Sequence, residues 1–202
     1  MSQIKEIHLR RATAADAQAI AEVRVEAWRT TYRGMIPDAY LDNMRVADSA
    51  EQWQTILMAL ADQVANADVK PTAKVCVFVA ESEGRVIGFV SGAMLAAPKC
   101  GMRAELTAVY LLPAWQRCGI GRRMVQKLVR TLQALGATDL LVWVLAENYS
   151  ARHFYERLSG VKLTEQAFNW DHLDLMEVGY GWKDLSVLLA SVDAHSQSHA
   201  VH

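Results

Sequence analysis

The 202-residue chain has little that would suit it to secretion or to a membrane. Its three cysteines are widely spaced and form no CxxC pair or Cys/His cluster, which argues against a disulfide framework and favours a reducing compartment. The longest apolar run, residues 140–146, is far shorter than the roughly 20 residues of a membrane span, and no signal-like apolar stretch follows the first residues. We therefore expect a cytoplasmic protein that does not bind membranes.

An excess of charge of one sign is also missing. Lysine and arginine number 21 and aspartate and glutamate 22, so the formal net charge is −1 and no global field attracts nucleic acid. No His, Cys, Asp or Glu residues have metal-ligand spacing, and His195, His199 and His202 near the C-terminus have no acidic partners, so no metal is expected. What is present is a 52% hydrophobic composition, enough for one globular core.

Hydrophobic periodicity predicts a mixed α/β domain over residues 1–185, followed by a flexible tail over residues 186–202. A tight turn between residues 80 and 86 predicts an antiparallel hairpin, and the strand–helix–strand order over residues 105–145 predicts a βαβ unit. Strands are predicted at 4–9, 75–80, 86–92, 105–112, 140–145 and, late in the chain, near 161–164 and 173–180. Helices are predicted from Thr13 toward Gly34, from about Asp48, over 122–135 and over 150–158, the second with a buried stripe of Trp53, Ile56, Leu57, Leu60 and Val64.

The loop between the predicted strand 105–112 and the following helix carries the clearest chemical signal. Gly119 and Gly121 allow a ligand to approach the backbone closely, and the positive end of the helix favours an anion such as a diphosphate. Tight helix–strand packing is an alternative reason for glycine here. A dinucleotide-binding fingerprint would require a third glycine where Met124 stands, and a Walker loop would require Gly-Lys-Ser/Thr, so NAD and ATP are disfavoured. Added positive charge comes from Arg117, Arg122 and Arg123.

The segment Gln116-Arg-Cys-Gly119-Ile-Gly121 resembles the Q/R-x-x-G-x-G/A motif of the GCN5-related N-acetyltransferase (GNAT) superfamily. Further similar blocks are residues 104–113, 147–158 and 180–185, and the early Trp28-x-x-x-Tyr32-Arg-Gly34, so the likeness covers about residues 7–185. It implies a GNAT-like α/β fold, in which helices flank a mixed, mostly antiparallel central sheet with two splayed parallel strands. It also implies an acyltransferase that moves acetyl from acetyl-CoA to a primary amine by direct attack in a ternary complex.

The same resemblance assigns roles to individual residues. Tyr155 would be the general acid that protonates the departing CoA thiolate, and Trp28 and Tyr32 would line the amine pocket. The family does not fix the general base; the best carboxylate for that role is Glu105, at the start of the strand beneath the cleft, with water relaying the proton where needed. Acetyl-CoA would be bound by Tyr110, Leu111, Leu112, Gln116, Arg117, Cys118, Gly119, Ile120, Gly121, Arg122 and Asn148.

Alternatives remain open for several of these residues. Tyr155, Trp28 and Tyr32 would also suit core packing, Asn148 a helix start, and Glu105 a solvated strand edge, with Glu147 a weaker base candidate. A covalent mechanism on Cys118 is disfavoured. The protein as a whole would alternatively be a catalytically silent acyl-CoA-binding sensor or interaction module. The acceptor, a small-molecule or protein amine, is not specified, and a homodimer stays open.

Overall fold

Seven strands form a single sheet in the order β1-β2-β3-β4-β5-β7-β6 in the computed structural model, which describes residues 6–65 and 75–190. All neighbouring strands are antiparallel except β4 and β5, and the predicted GNAT-like fold class is confirmed. The strands are β1 (His8–Arg11), β2 (Val75–Ser82), β3 (Arg85–Lys99), β4 (Met102–Leu111), β5 (Leu140–Leu145), β6 (Val161–Trp170) and β7 (Leu173–Trp182).

Helices cover both faces of this sheet. Helix α1 packs against α3, β3 and β4, whereas α4 packs against β2, β3 and β4. The helices are α1 (Ala17–Thr31), α2 (Asp38–Asn43), α3 (Val46–Ala65), α4 (Ile120–Ala134), α5 (Tyr149–Arg157) and α6 (Leu185–Ala190). A start signal predicted at Thr13 is present, because the Asp16 carboxylate accepts a hydrogen bond from the Thr13 N–H at 2.8 Å just before α1.

The parallel pair β4–β5 is short, and this positions the site. Only two residue pairs are in register, Glu105 with Leu141 and Leu106 with Val142. One residue later, β4 contains a bulge: Leu106 lies opposite Gly92 and Ala108 opposite Ser91, which leaves Thr107 as the extra residue. Beyond this bulge β4 stays with β3 and β5 stays with β7, so the two strands separate into a V.

Several element bounds differ from the predictions. Strand β1 begins at His8 and ends at Arg11, later than the predicted 4–9, and a short helix, α2, begins at Asp38, where no element was predicted. Strand β3 extends to Lys99 and turns into β4 through Cys100 and Gly101, both with positive φ, a hairpin without a clear periodic signal. Strand β6 extends from the predicted 161–164 to Trp170, because it pairs along the whole of β7. The polar sequence of β6 gives no local indication of this pairing.

The buried stripe predicted for α3 is corrected in part, and a further helix, α6, follows β7. In α3, Leu57 is buried and Trp53 and Leu60 are half-buried, as predicted. Ile56 is instead 40% exposed, because only one of the two adjacent helical residues 56 and 57 can face the core. The side chain of Val64 lies outside the described residues. At the other end of the chain, α6 continues past the predicted domain end at Leu185, and Leu188 is fully buried. The rest of the predicted tail, 191–202, is outside the described part of the chain.

Candidate active site

A cavity of about 590 Å³ opens where β4 and β5 diverge. Its walls come from residues 106–111 of β4, the loop after β4, residues 142–144 of β5, helix α5 and the C-terminal end of α1. This volume suits a small organic ligand. Because β4 after the bulge pairs only with β3, the peptide groups on its other edge face the cavity without a strand partner.

The loop of residues 116–121, which we call the glycine loop, closes one end of this cavity. Gly119 has φ +78° at the start of α4, a left-handed conformation that favours glycine, and Arg117 also has a positive φ of 61°. The Gln116 side chain donates from Nε2 to the Leu111 carbonyl at 3.0 Å and ties the loop to the end of β4. A Cβ at Gly121 would lie 3.5 Å from Phe154, an ordinary van der Waals contact, so packing of α4 on α5 does not by itself require glycine at this position.

The predicted cofactor residues divide into two groups. Leu112 and Ile120 are buried in the core, and Cys118 is exposed with its Sγ donating to the Gln116 carbonyl, so none of these three lines the cavity. The others form its wall: Tyr110, Leu111, Gln116, Arg117, Gly119, Gly121, Arg122 and Asn148. The wall is positive, because Arg117, Arg122 and Arg157 contribute to it and no Asp, Glu or His does among the described residues.

Helix α5 brings Asn148 and Tyr155 to the opposite wall. Asn148 is 3% exposed, and its Oδ1 accepts a hydrogen bond from the Ala151 N–H at 3.0 Å, so the helix-start role is observed. Its side-chain Nδ2 has no protein partner within the described ranges, and the residue lines the cavity. The amide group therefore remains available to a ligand.

Tyr155 is held rigidly by aromatic packing. Its ring centroid lies 5.2 Å from that of Phe154 and 6.1 Å from that of Trp182, and the residue is 5% exposed. No described residue forms a hydrogen bond with its hydroxyl, although the residue lines the cavity. Burial, together with the neighbouring Tyr110 hydroxyl, raises the pKa of Tyr155 well above its ordinary value, so the hydroxyl stays protonated.

Two further tyrosines occupy the side of the cavity nearest α1. The hydroxyls of Tyr32 and Tyr110 lie 3.3 Å apart, a long hydrogen bond. Burial raises the pKa of both groups, so they too are neutral hydroxyls at ordinary pH. We call Tyr32, Tyr110 and Tyr155 the cavity tyrosines.

An aromatic cluster stands behind Tyr32 and was only partly foreseen from the sequence. Trp28 packs edge-on against Tyr32 at 5.0 Å instead of lining the cavity, and it also contacts Trp170 at the end of β6. Trp170 in turn packs on Tyr40 of α2 at 4.9 Å. No local signal could have paired Trp170 with Trp28, because the contact depends on the full length of the β6–β7 hairpin.

Neither predicted carboxylate reaches the cavity wall. Glu105 pairs with Leu141 at the closed end of the V, and its Oε2 accepts a hydrogen bond from Lys99 Nζ at 2.8 Å. The cavity lining begins one residue later, and Glu147 is exposed outside it. Nearer the site, the Thr107 hydroxyl lines the cavity and shares a 2.7 Å hydrogen bond with Ser91.

Residues 6–65 and 75–190 contain neither a candidate metal site nor a candidate membrane span. These residues contain no cluster of three or more His, Cys, Asp or Glu side chains that could hold a metal ion. None of the helices within them is both long and apolar enough to cross a membrane. The histidines near the C-terminus lie outside these ranges.

Comparison with known proteins decides the family. Residues 28–161 match the model of the acetyltransferase (GNAT) family, which is more than half of the chain. The chain belongs to the GNAT family. This GNAT protein is 34% identical over 183 residues to the uncharacterized N-acetyltransferase YuaI of Bacillus subtilis, covering 90% of this chain and 96% of YuaI.

More distant similarities are consistent with that assignment. The GNAT protein is 24% identical over 161 residues to the spermidine N(1)-acetyltransferase of Thermoplasma acidophilum, covering 79% of this chain and 90% of that one. Its fold matches the crystal structure of the paia N-acetyltransferase of Thermoplasma acidophilum in complex with coenzyme A, with a TM-score of 0.63 and 20% identity over 86% of this chain and 98% of the other. At this identity the structural likeness establishes the fold.

Proposed function

We propose that this GNAT protein transfers the acetyl group of acetyl-CoA to a primary amine. The observation that carries the proposal is the V between β4 and β5, whose open part exposes unpaired peptide groups of β4 and is bordered by the glycine loop. A pantetheine arm is an extended chain with amide groups and can add to such an edge as a strand would. The names of the relatives, which are N-acetyltransferases, and the coenzyme A in the neighbouring structure support the same cofactor.

The cofactor would lie with its diphosphate on the glycine loop. Backbone N–H groups near Gly119 and Gly121 and the positive end of α4 favour an anion, and Arg117 and Arg122 add positive charge there. The free amide of Asn148 on the opposite wall is suited to hydrogen bonding with the pantetheine arm. This arrangement directs the thioester toward the cavity tyrosines.

The proposed reaction is a direct attack within a ternary complex. The amine nitrogen forms a bond with the thioester carbonyl carbon, the resulting tetrahedral oxyanion is stabilised by a β4 backbone N–H, and the C–S bond then breaks. Tyr155 donates its hydroxyl proton to the leaving sulfur, and the proton that the nitrogen loses as the amide forms returns to the Tyr155 oxygen through solvent. Because no carboxylate lines the wall, Glu105 would receive the proton of the attacking ammonium only through water, along the side of the V that carries Thr107.

Thiol release separates this proposal from a catalytically silent acyl-CoA-binding module. Acetyl-CoA is incubated with the protein and with a panel of primary amines that includes amino acids, polyamines and a lysine peptide, and free CoA thiol is measured. We expect amine-dependent thiol release and calorimetric binding of CoA. Binding of CoA without thiol release for any amine would favour the silent module, and absence of CoA binding would reject both readings.

A further inference from the structure

An arginine lies inside the aromatic cluster next to the proposed amine pocket. Arg24 on α1 is half-buried, and its Cζ stands 4.7 Å from the centroid of the Trp28 ring. Ala27 and Thr31, three and seven residues further along α1, both line the cavity. Arg24 therefore occupies the same face of the helix, one turn beyond the cavity wall.

This guanidinium has no carboxylate partner among the residues that the structure describes. Its hydrogen bond from Nη1 to Ser49 Oγ measures 3.4 Å, which is near the limit for such a bond. By contrast, the similarly half-buried Arg10 forms 2.8 Å contacts with both Asp16 and Glu81. Since desolvating a charge is costly unless it is paired, the bare guanidinium of Arg24 is a candidate for binding an anion.

The polar groups around Arg24 are rich in donors and poor in acceptors. The indole Nε1 of Trp28 is buried and forms no hydrogen bond within the described ranges, although it lies close enough to the Tyr110 hydroxyl to offset part of the rise that burial causes in the pKa of that group. Burial raises the pKa of Tyr40 and Asp171 lies close enough to add to that rise, but among the described residues Asp171 forms no ion pair with Arg24. A carboxylate from a ligand would supply the missing acceptor.

The cavity wall also offers no negative charge near α1 within the described residues, while Arg117 and Arg122 lie at the end proposed for the diphosphate. It contains arginines and no acidic side chain, so an acceptor with several ammonium groups would find no carboxylate to pair with. That argues against a polyamine acceptor, although one relative is named as a spermidine acetyltransferase. A negatively charged acceptor would instead meet favourable potential at the α1 end of the cavity.

We propose that Arg24 is a specificity-determining residue that binds a carboxylate of the acceptor, so that the acceptor is an amine whose acidic group lies several bonds from the reacting nitrogen. The Trp28 ring lies between the Arg24 guanidinium and the proposed reaction centre: its centroid is 4.7 Å from Arg24 Cζ and 6.5 Å from the centroid of Tyr110 on the cavity wall. The carboxylate must therefore stand several bonds from the amine. This inference rests on the proposed acetyl transfer to an amine.

A series of amines with matched chain length tests the proposal. The acceptors ε-aminocaproate, hexylamine and hexamethylenediamine end in a carboxylate, a methyl group and an ammonium, and γ-aminobutyrate, butylamine and putrescine repeat the series with a shorter chain. kcat/KM is measured for each acceptor by thiol release. We expect at least one carboxylate compound to exceed its uncharged analogue by about tenfold or more, as a charge-assisted hydrogen bond predicts, and to exceed its diamine as well.

Variants at Arg24 show whether the preference depends on this side chain. Arg24→Met should abolish the preference for the carboxylate, Arg24→Gln should reduce it strongly while keeping a polar group beside Ser49, and Arg24→Glu should shift the preference to the diamine. Arg11→Met is the matched control, because Arg11 also stacks on an aromatic ring, 5.7 Å from the centroid of Phe78, but lies on the edge strand β1 away from the cavity. Its preference ratio should equal that of the parent.

The outcomes distinguish this inference from the proposed function. A parent enzyme that uses the diamine or the uncharged amine as well as the carboxylate compound, or an Arg24→Met variant that keeps the parental ratio, overturns the inference and leaves acetyl transfer standing. If no amine releases thiol, calorimetry of ε-aminocaproate with the CoA-loaded protein decides. Binding that is lost in Arg24→Met and Arg24→Gln but kept in Arg11→Met supports the carboxylate site, and absent or unchanged binding rejects it.

Discussion

Replacing Tyr155 by phenylalanine removes one hydroxyl from the centre of the cavity and leaves the ring. The packing of the ring against Phe154 and Trp182 is retained, and no hydrogen bond within the described chain is lost. The free energy of unfolding should therefore change by less than about 1 kcal/mol. CoA affinity should also stay near the parental value, because the phosphate end of the cavity is untouched.

The chemical step should slow greatly. A general acid is worth about 10²- to 10⁴-fold, or roughly 3 to 5 kcal/mol of activation free energy. A thiolate is already a fair leaving group, so we expect the lower end, about a hundredfold. Because the pKa of Tyr155 is raised above its ordinary 10.0, the parental rate should show no fall from ionisation of this hydroxyl at any pH below that value.

Single-turnover thiol release measures this step without interference from product release. Tyr180→Phe is the matched control: the Tyr180 hydroxyl donates to Glu156 at 2.7 Å and accepts from Arg152 at 3.2 Å, and the residue does not line the cavity. We expect this control to lose about 1 kcal/mol of stability and keep the parental rate. A Tyr155→Phe protein that binds CoA and keeps the parental single-turnover rate would remove Tyr155 from the mechanism.

Three shorter predictions test the cofactor loop and the stability of the fold. Gly119→Val should weaken CoA binding at least about tenfold in calorimetry, since a strained left-handed valine costs about 1–3 kcal/mol and shifts the loop. The control is Gly84→Val, which places valine at φ +76° in the β2–β3 turn; it should lower stability but keep CoA affinity. Arg10 lowers the pKa of Asp16, so the Asp16 carboxylate stabilises the fold above pH 3.8, and this stabilisation decreases as the pH falls further. Asp16→Asn should therefore lower the free energy of unfolding by about 1–3 kcal/mol in denaturant near neutral pH. A loss of the same size in acid would contradict this. The raised pKa values of the cavity tyrosines predict that these groups add no pH dependence to stability below pH 10.0 and cause a loss of stability above it. Their phenolate absorbance should appear only as circular dichroism reports unfolding, and earlier titration of all tyrosines would count against their burial.

Local signals in the sequence were sufficient for the central βαβ unit. Strand β4, the glycine loop and helix α4 follow one another in the chain, so glycine spacing and amphipathic periodicity describe them without reference to distant residues. The resemblance of residues 116–121 then led to the family, which the comparison confirms. The β2–β3 hairpin was predictable for the same reason, since a tight turn at Gly84 specifies a neighbouring pair of strands.

Only the tertiary structure decided which side chains reach the cavity. The extra residue Thr107 in β4 bends the strand away from β5, so Glu105 stays at the closed end of the V with Lys99 while Tyr110 reaches the wall. Trp170 reaches Trp28 only because the β6–β7 hairpin pairs along its whole length. Strand register, bulges and long-range packing depend on residues far away in the chain. Local periodicity in the sequence does not specify which distant strand pairs with a given strand edge.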